Sequence, residues 1–416
     1  MTGKVGIVGA GTMGAGIAQV ALEAGHEVAL FDVVDGAVER AVSRIEDGLG
    51  RRAAKRGLTG RDAGDWVAGH LRRLGRPHDL ESVARGAVLV VEAVVEEMSR
   101  KRAVFAVLDR AAPADSMLAT NTSALPIAGI AAGLRRPERV LGLHFFNPAP
   151  VMPLVEVVVT AATSPEIADG AERLMRLWGK TPVRCSDVPG FIVNRVNRPF
   201  TLEPLRMLEA GEASVAEIDA AVRDAGFPQG PFEHIDLVGL DVNLASSRAI
   251  HDALGRPDRL APSTLQVRLV GDGHLGRKRG LGFYEYDARG HPVGPAPGFG
   301  ARAGGCAAAG RAATAPLPAE AIVARIRLAL ANEAFFAMGE GVADAAEIDL
   351  ALRLGAAHPQ GPVEWARGRG PERVVRELEG LRASLGDRWD LAPLLRAEAR
   401  PGRQAVSRSG DLATPA

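Results

Sequence analysis

A histidine and a glutamate frame the segment His144-Phe145-Phe146-Asn147-Pro148-Ala149-Pro150-Val151-Met152-Pro153-Leu154-Val155-Glu156. An imidazole that donates one ring N–H to a carboxylate is fixed in the tautomer that leaves the other nitrogen a lone pair, and its basicity rises. Those are the parts of a general base. Oxidation of a secondary alcohol needs such a base at the hydroxyl while hydride leaves the same carbon for a nicotinamide. A hydroxyl and an amide beside the reacting oxygen stabilise the charge that develops there, and Ser123 and Asn194 are the candidates for those two groups. Each residue also has a plain structural reading: a histidine at a strand end, a helix N-cap, an amide bridging two domains. The elements around them decide.

Val140–His144 and Leu154–Val159 both read as buried strands, and the Pro-rich turn between them folds Glu156 back towards His144. Ser123 follows the strand Ser116–Thr120, which puts it at a carboxyl end of the sheet, where ligands of such folds bind. Asn194 stands four residues after Gly190, on the first helix of a second region. At the N-terminus the strand Lys4–Val8 runs into Gly9-Ala10-Gly11-Thr12-Met13-Gly14 and a helix through Ala24. Gly9 permits a tight turn, Gly11 lets the backbone approach a pyrophosphate, and Gly14 lets helix pack on strand, with the helix amides of Thr12 and Met13 facing the phosphates. The next strand, Glu27–Phe31, ends in Asp32, placed to take the ribose hydroxyls of an adenosine. That carboxylate repels a 2′-phosphate, and Val33 follows where an arginine could have served one, so the expected cofactor is NAD and not NADP.

Six motifs in order, Gly9–Gly14, Val91-Glu92-Ala93-Val94-Val95-Glu96, Asn121-Thr122-Ser123-Ala124-Leu125-Pro126, His144–Glu156, Gly190-Phe191-Ile192-Val193-Asn194-Arg195 and Gly230-Pro231-Phe232-Glu233 leading to Val238-Gly239-Leu240-Asp241, carry a resemblance over almost the whole chain. The chain resembles the L-3-hydroxyacyl-CoA dehydrogenases. The resemblance implies that His144 removes the proton from the substrate's 3-hydroxyl, that Glu156 orients and polarises it, and that Ser123 and Asn194 hold the reacting oxygen. Only five lysines stand against forty-five arginines, and three of them match family positions: Lys101 paired with Glu96 near the cofactor, Lys278 where the C-terminal domain reaches back to NAD, and Lys55 at the CoA nucleotide. Two positions depart from the family, Gly48 in place of a serine that helps hold CoA and Pro153 in place of a lysine. They leave open an acyl group carried on an acyl carrier protein, met by Arg51, Arg52, Lys55 and Arg56. A sugar-acid or hydroxy-acid dehydrogenase of the same superfamily and a non-catalytic NAD-binding scaffold are the other readings.

A chain of 416 residues with 47% hydrophobic residues and zero formal net charge offers no basic footprint for nucleic acid. It has no apolar run long enough for a membrane span and no signal-peptide pattern, so a cytoplasmic protein is expected. Cys185 and Cys306 lack metal spacing, and no metal is expected. The fold class expected is α/β: a Rossmann-type doubly wound NAD-binding domain over residues 1–187, followed by two homologous all-α domains. The first all-α domain covers 188–287, a flexible linker 288–317, the second copy 318–400 and a disordered tail 401–416. The duplication is visible in Ile192, Arg195, Glu203, Glu217 and Asp219, which recur 130 residues on as Ile322, Arg325, Glu333, Glu347 and Asp349. The position of Asn194 becomes Ala324, which makes the second copy structural. The substrate partner expected is an acyl-CoA. The assembly expected is either a homodimer or an internally pseudo-dimeric monomer, in which the second copy takes the place of a partner's dimerisation domain.

Overall fold

The computed structural model describes residues 3–300 and 316–400. Cys306, the middle of the expected linker and the expected tail lie outside the described residues. The strands are β1 (Lys4–Val8), β2 (Glu27–Phe31), β3 (Leu74–Gly75), β4 (Ala87–Glu92), β5 (Met117–Thr120), β6 (Val140–Phe145), β7 (Leu154–Val159) and β8 (Thr181–Ser186), joined in one sheet in the order β3-β2-β1-β4-β5-β6-β7-β8. Helices α1 (Thr12–Glu23), α2 (Ala37–Lys55), α3 (Gly60–Leu71), α4 (Leu80–Ala84), α5 (Met98–Ala111), α6 (Ile127–Ala131) and α7 (Pro165–Leu177) accompany it. Side chains alternate along each strand, so Val5 and Ile7 of β1 enter a core with Ile17, Leu22 and Leu49, whereas Val8 enters a second core with Val90, Phe105 and Leu118. Two buried faces define a doubly wound sheet. All pairings are parallel except β6 with β7. That one reversal sets His144 directly opposite Glu156 in register.

Gly190 and Phe191 take left-handed backbone angles (φ 79° and 48°) where the chain leaves the sheet, and a side chain at Gly190 would meet Ile250 at 2.8 Å. The helical region comprises α8 (Val193–Val196), α9 (Arg198–Glu209), α10 (Val215–Asp224), α11 (Pro231–Val238), α12 (Leu240–Ala253) and α13 (Thr264–Gly271), then α14 (Ala319–Gly339), α15 (Ala345–Gly355), α16 (Pro362–Arg369), α17 (Pro371–Leu385) and α18 (Pro393–Glu398). The duplication is explicit in its caps. Ser214 with Glu217 and Asp344 with Glu347 form equivalent capping boxes on α10 and α15. Asp219 accepts the amides of Phe232 and Glu233 at the start of α11, and Asp349 accepts those of Val363 and Glu364 at the start of α16.

The two units meet through equivalent residues. Arg195 of the first pairs with Glu333 of the second at 2.9 Å, and Arg325 of the second pairs with Glu203 of the first at 3.1 Å, all four buried. Exchange of the same pair in both directions is the signature of an isologous, twofold-like contact. The cores interleave accordingly: Ile322, Ile326 and Leu330 of α14 pack with Phe200, Leu205 and Phe232, while Val193 and Val196 of α8 pack with the second unit.

The segment read as a flexible linker from residue 288 departs from that expectation. Tyr284–Tyr286 (β9) and Pro292–Pro295 (β10) form an antiparallel ribbon, and Ala296 and Phe299 are buried, the latter against Phe283. The Gly- and Pro-rich composition hid two apolar anchors that tie the segment down as far as the end of the described residues.

Candidate active site

His144 lies at the end of β6 and its Nδ1 is 2.6 Å from Glu156 Oε2. Glu156 is fully buried, and its Oε1 accepts the amides of Ile192 (3.0 Å) and Val193 (2.9 Å). An ionised carboxylate only accepts; paired with one, Nδ1 is the donor and Nε2 the nitrogen with the free lone pair. The dyad therefore draws its histidine and glutamate from the sheet and its anchoring amides from the chain that begins α8. Phe146 and Phe191 flank the ring, at centroid distances of 4.6 and 5.7 Å.

The turn between the two strands is held by Lys180, a buried lysine whose Nζ donates to the carbonyls of Ala149 (2.5 Å) and Met152 (2.8 Å). Burial pulls its pKa down to about 8. Ala149 and Pro150 in turn lie against Gly16 of α1, so this turn leans on the helix that opens with the glycine-rich loop.

Ser123 is exposed in the loop after β5, and it is not the cap of α6. Its carbonyl receives the Asn194 amide Nδ2 at 3.5 Å, a contact between sheet and helical region. The first amides of α6, Ile127 and Ala128, are bound instead by Asp187, the residue that ends the sheet domain. The expected pair Lys101 and Glu96 is present at 3.2 Å, but Lys101 has a closer partner that sequence reasoning did not single out. Glu92, fully buried at the end of β4, takes Lys101 Nζ at 2.8 Å, the Thr120 hydroxyl at 2.7 Å and the Val94 amide at 2.7 Å. Glu96 accepts from the Thr122 hydroxyl (2.5 Å) and the Ser123 amide (3.1 Å). Burial disfavours its charge, yet Thr122, Lys101 and the Ser123 amide outweigh it and hold its pKa below the usual value. A carboxylate ending a buried parallel strand was the signal for Glu92. Asn121 completes this edge by accepting the Phe145 amide at 2.9 Å.

The glycine turn fits a dinucleotide. A side chain at Gly9 (φ 103°) would meet the Ala93 carbonyl oxygen at 2.5 Å, and one at Gly14 would meet the Gly9 carbonyl oxygen at 1.8 Å, whereas Gly11 has nothing within 4 Å. Open space at Gly11, before a helix whose N-terminus has no side-chain cap, is what an entering pyrophosphate requires. Thr12 and Met13 open that helix. Asp32 stands beside the turn, its Oδ2 accepting the Ala10 amide (2.7 Å) and its Oδ1 the Val34 amide (2.9 Å); each oxygen retains a lone pair for a ribose hydroxyl.

Lys55 is exposed at the end of α2, among Arg51, Arg52 and Arg56; Arg52 pairs with Glu23 and Arg56 lies over Trp66. Gly48 on the same helix is close-packed, since a side chain there would meet Gln19 Oε1 at 2.1 Å. Lys278 is bound within the helical region by Asp241 at 2.6 Å, and the structure records no contact between it and the glycine turn. Among the described residues no helix is long and apolar enough to cross a membrane.

The profile of the 3-hydroxyacyl-CoA dehydrogenase NAD-binding domain matches residues 4–188, and that of the 3-hydroxyacyl-CoA dehydrogenase C-terminal domain matches residues 190–286 and again 322–407. The 3-hydroxyadipyl-CoA dehydrogenase of Escherichia coli is 37% identical over 95% of this chain and 97% of its own length. The 3-hydroxybutyryl-CoA dehydrogenase of Mycobacterium tuberculosis is 42% identical over 68% of this chain and 98% of its own. Among solved structures, a 3-hydroxybutyryl-CoA dehydrogenase from Escherichia coli superposes with a TM-score of 0.85 at 36% identity, covering 96% of this chain and 98% of that one.

Proposed function

From the premise that the chain belongs to the 3-hydroxyacyl-CoA dehydrogenase family and is an NAD-dependent oxidoreductase, we propose that it interconverts L-3-hydroxyacyl-CoA and 3-oxoacyl-CoA with the His144–Glu156 dyad as its base. The observation that carries this reading is the 2.6 Å contact between Nδ1 and Glu156. In the oxidative direction Nε2 takes the proton of the 3-hydroxyl, and the imidazolium so formed lies against an already oriented carboxylate. NAD, held by Gly9, Gly11, Thr12, Met13, Gly14 and Asp32, supplies the acceptor for the hydride that leaves C3. Ser123 and Asn194, brought together across the domain boundary, hold the oxygen on which charge accumulates. Lys101, locked between Glu92 and Glu96, stiffens the loops that carry Ser123. Lys55 is the candidate for the CoA nucleotide. Lys278 keeps a cofactor role in this reading only if it releases Asp241.

Because Glu156 is bound by the Ile192 and Val193 amides, the base is complete only when the helical region is docked; closure and activation are then one event. The second helical unit is structural in this proposal, an internal substitute for a partner subunit. The test is NADH consumption with acetoacetyl-CoA, beside the same acyl group on N-acetylcysteamine and on an acyl carrier protein. Turnover with CoA that falls at least about a hundredfold in His144→Ala, with NADH binding retained, is the expected result. Loss of NADH binding in that variant would make His144 a structural residue, and activity with the carrier protein alone would change the carrier.

A further inference from the structure

Four arginines are buried among the described residues: Arg139, Arg195, Arg198 and Arg325. Three of them face carboxylates, Arg139 with Asp109, Arg195 with Glu333 and Glu340, and Arg325 with Glu203 and Glu212. Arg198, 7% exposed, has no acidic partner among them. Its Nε donates to the Asn194 carbonyl and its Nη1 to the Ser247 hydroxyl, both at 3.1 Å and both neutral acceptors. A guanidinium carries five N–H donors, so most of its capacity is unused. No nitrogen of Arg198 is among the buried side-chain nitrogens that lack a hydrogen-bond partner, so its uncommitted donors keep access to solvent. Burial lowers its pKa to about 10, which leaves it charged at neutral pH.

The duplication supplies an internal control. In the second unit the equivalent position, 130 residues on, is Leu328, 4% exposed in an apolar core. The repeat is thus built equally well with an apolar residue there, and an uncompensated buried charge is a standing cost that the scaffold does not require. The position matters too. Arg198 follows Asn194 by four residues across the α8–α9 junction, and its Nε bonds the Asn194 carbonyl, so the head group lies beside the residue assigned to the reacting oxygen.

We propose that Arg198 is a specificity residue that receives a terminal carboxylate on the acyl chain, making CoA thioesters of 3-hydroxy dicarboxylic acids the preferred substrates. The inference rests on the reading that Asn194 holds the substrate's C3 oxygen. An acyl chain whose C3 oxygen is held by Asn194 carries its distal end past a guanidinium bonded to the carbonyl of that same residue. A carboxylate arriving there pairs bidentately with a group already desolvated, whereas a methyl-terminated chain of the same length leaves the charge unpaired.

The experiment compares kcat/KM for NADH-dependent reduction of 3-oxoadipyl-CoA and 3-oxohexanoyl-CoA, which have equal carbon number and differ in the terminal carboxylate. The wild type is expected to favour the dicarboxylic ester by about a hundredfold or more. Arg198→Leu, which installs the residue of the second unit, should collapse that ratio to near one, and Arg198→Lys should keep part of it. A purely structural arginine would lower both esters together and leave the ratio unchanged, which overturns the proposal, as does a wild-type ratio near one. Should Arg198→Leu fail to fold, the wild-type ratio and Arg198→Lys decide. Turnover of neither ester by the wild type would instead sink the dehydrogenase reading itself.

Discussion

The two helical units are built on one plan, yet they treat the helix facing their neighbour differently. In the second unit that helix is a single rod, α14, 21 residues from Ala319 to Gly339. In the first unit the same stretch breaks into α8 and α9 at Asn197, two residues before Pro199, where the second unit has Ala329. Proline removes an amide and its ring opposes the preceding turn, so the break follows from that residue. The short α8 then presents the Ile192 and Val193 amides to Glu156, Asn194 to Ser123, and Arg198 to the interior. In the second unit Ala324 lines a surface depression of about 370 Å³ with Val323, Arg327 and Trp365. A shared scaffold supplies stability to both; the irregularity confined to one copy supplies the chemistry.

Making the first unit resemble the second is the most severe way to break this contrast. Asn194→Ala is expected to lower kcat by about a hundredfold or more, the scale for losing one donor to a reacting oxygen, while the reciprocal Ala324→Asn leaves steady-state rates unchanged. Equal losses from both would mean that the two helices are interchangeable. The shared scaffold is tested by Glu333→Ala, which strips Arg195 of its buried partner and leaves the half-exposed Glu340. Removing one member of a buried pair costs about 3 kcal/mol, read as a lower thermal midpoint with the substrate preference intact. An unaltered midpoint would show that the reciprocal pairs do not hold the units together.

Much of this contrast is written locally in the chain. The strands of His144 and Glu156 are legible because each is a short, mostly apolar segment and a Pro-rich turn joins them, and the glycine turn because only one backbone path suits Gly9, Gly11 and Gly14 together. The repeat is legible because Asp219 and Asp349 precede their Gly-Pro partners by equal or nearly equal spacings. What the sequence concealed depends on tertiary neighbours. Arg198 sits in a polar stretch, Asn197-Arg198-Pro199, that reads as surface until α12 is seen to cover it. Glu92 stood inside a quoted motif, but its role needed Lys101 and Thr120, which approach from other elements. Lys278 carried a family expectation, and nothing local announced that Asp241 would bind it. The 288–299 segment looked like linker because Ala296 and Phe299 find their apolar partners only in the folded unit.

A finer test addresses the caps that the copies share. A side chain at Gly230 would lie 2.2 Å from Asp219 Cγ, and one at Gly361 would lie 2.2 Å from Asp349 Cγ. Gly230→Ala and Gly361→Ala should each destabilise by roughly 1–3 kcal/mol through overpacking, and by similar amounts. A large loss in only one would reveal that the second cap has drifted away from its function.

The finest distinction separates the two caps by their proton affinity. Burial pushes the Asp219 carboxyl from 3.8 up to about 7, against three hydrogen bonds from Phe232, Glu233 and Tyr284 that favour its charged form. Asp349 is also raised by burial but has no tyrosine donor among the described residues. A folded-state carboxyl pKa above the unfolded one means that the native state binds the extra proton between pH 4 and 7. Its contribution to stability is therefore full below the unfolded value and falls as pH rises through that window, by at most about 1.4 kcal/mol per pH unit. Asp219→Asn should flatten this part of the variant's own stability-versus-pH curve in chemical unfolding, and Asp349→Asn should flatten it less. The ranking follows from geometry, because the β9 strand brings Tyr284 over Asp219 and seals that carboxylate within the first unit. If the Asp219→Asn curve runs parallel to wild type from pH 4 to 7, the carboxylate is already ionised throughout, and its three donors outweigh its burial.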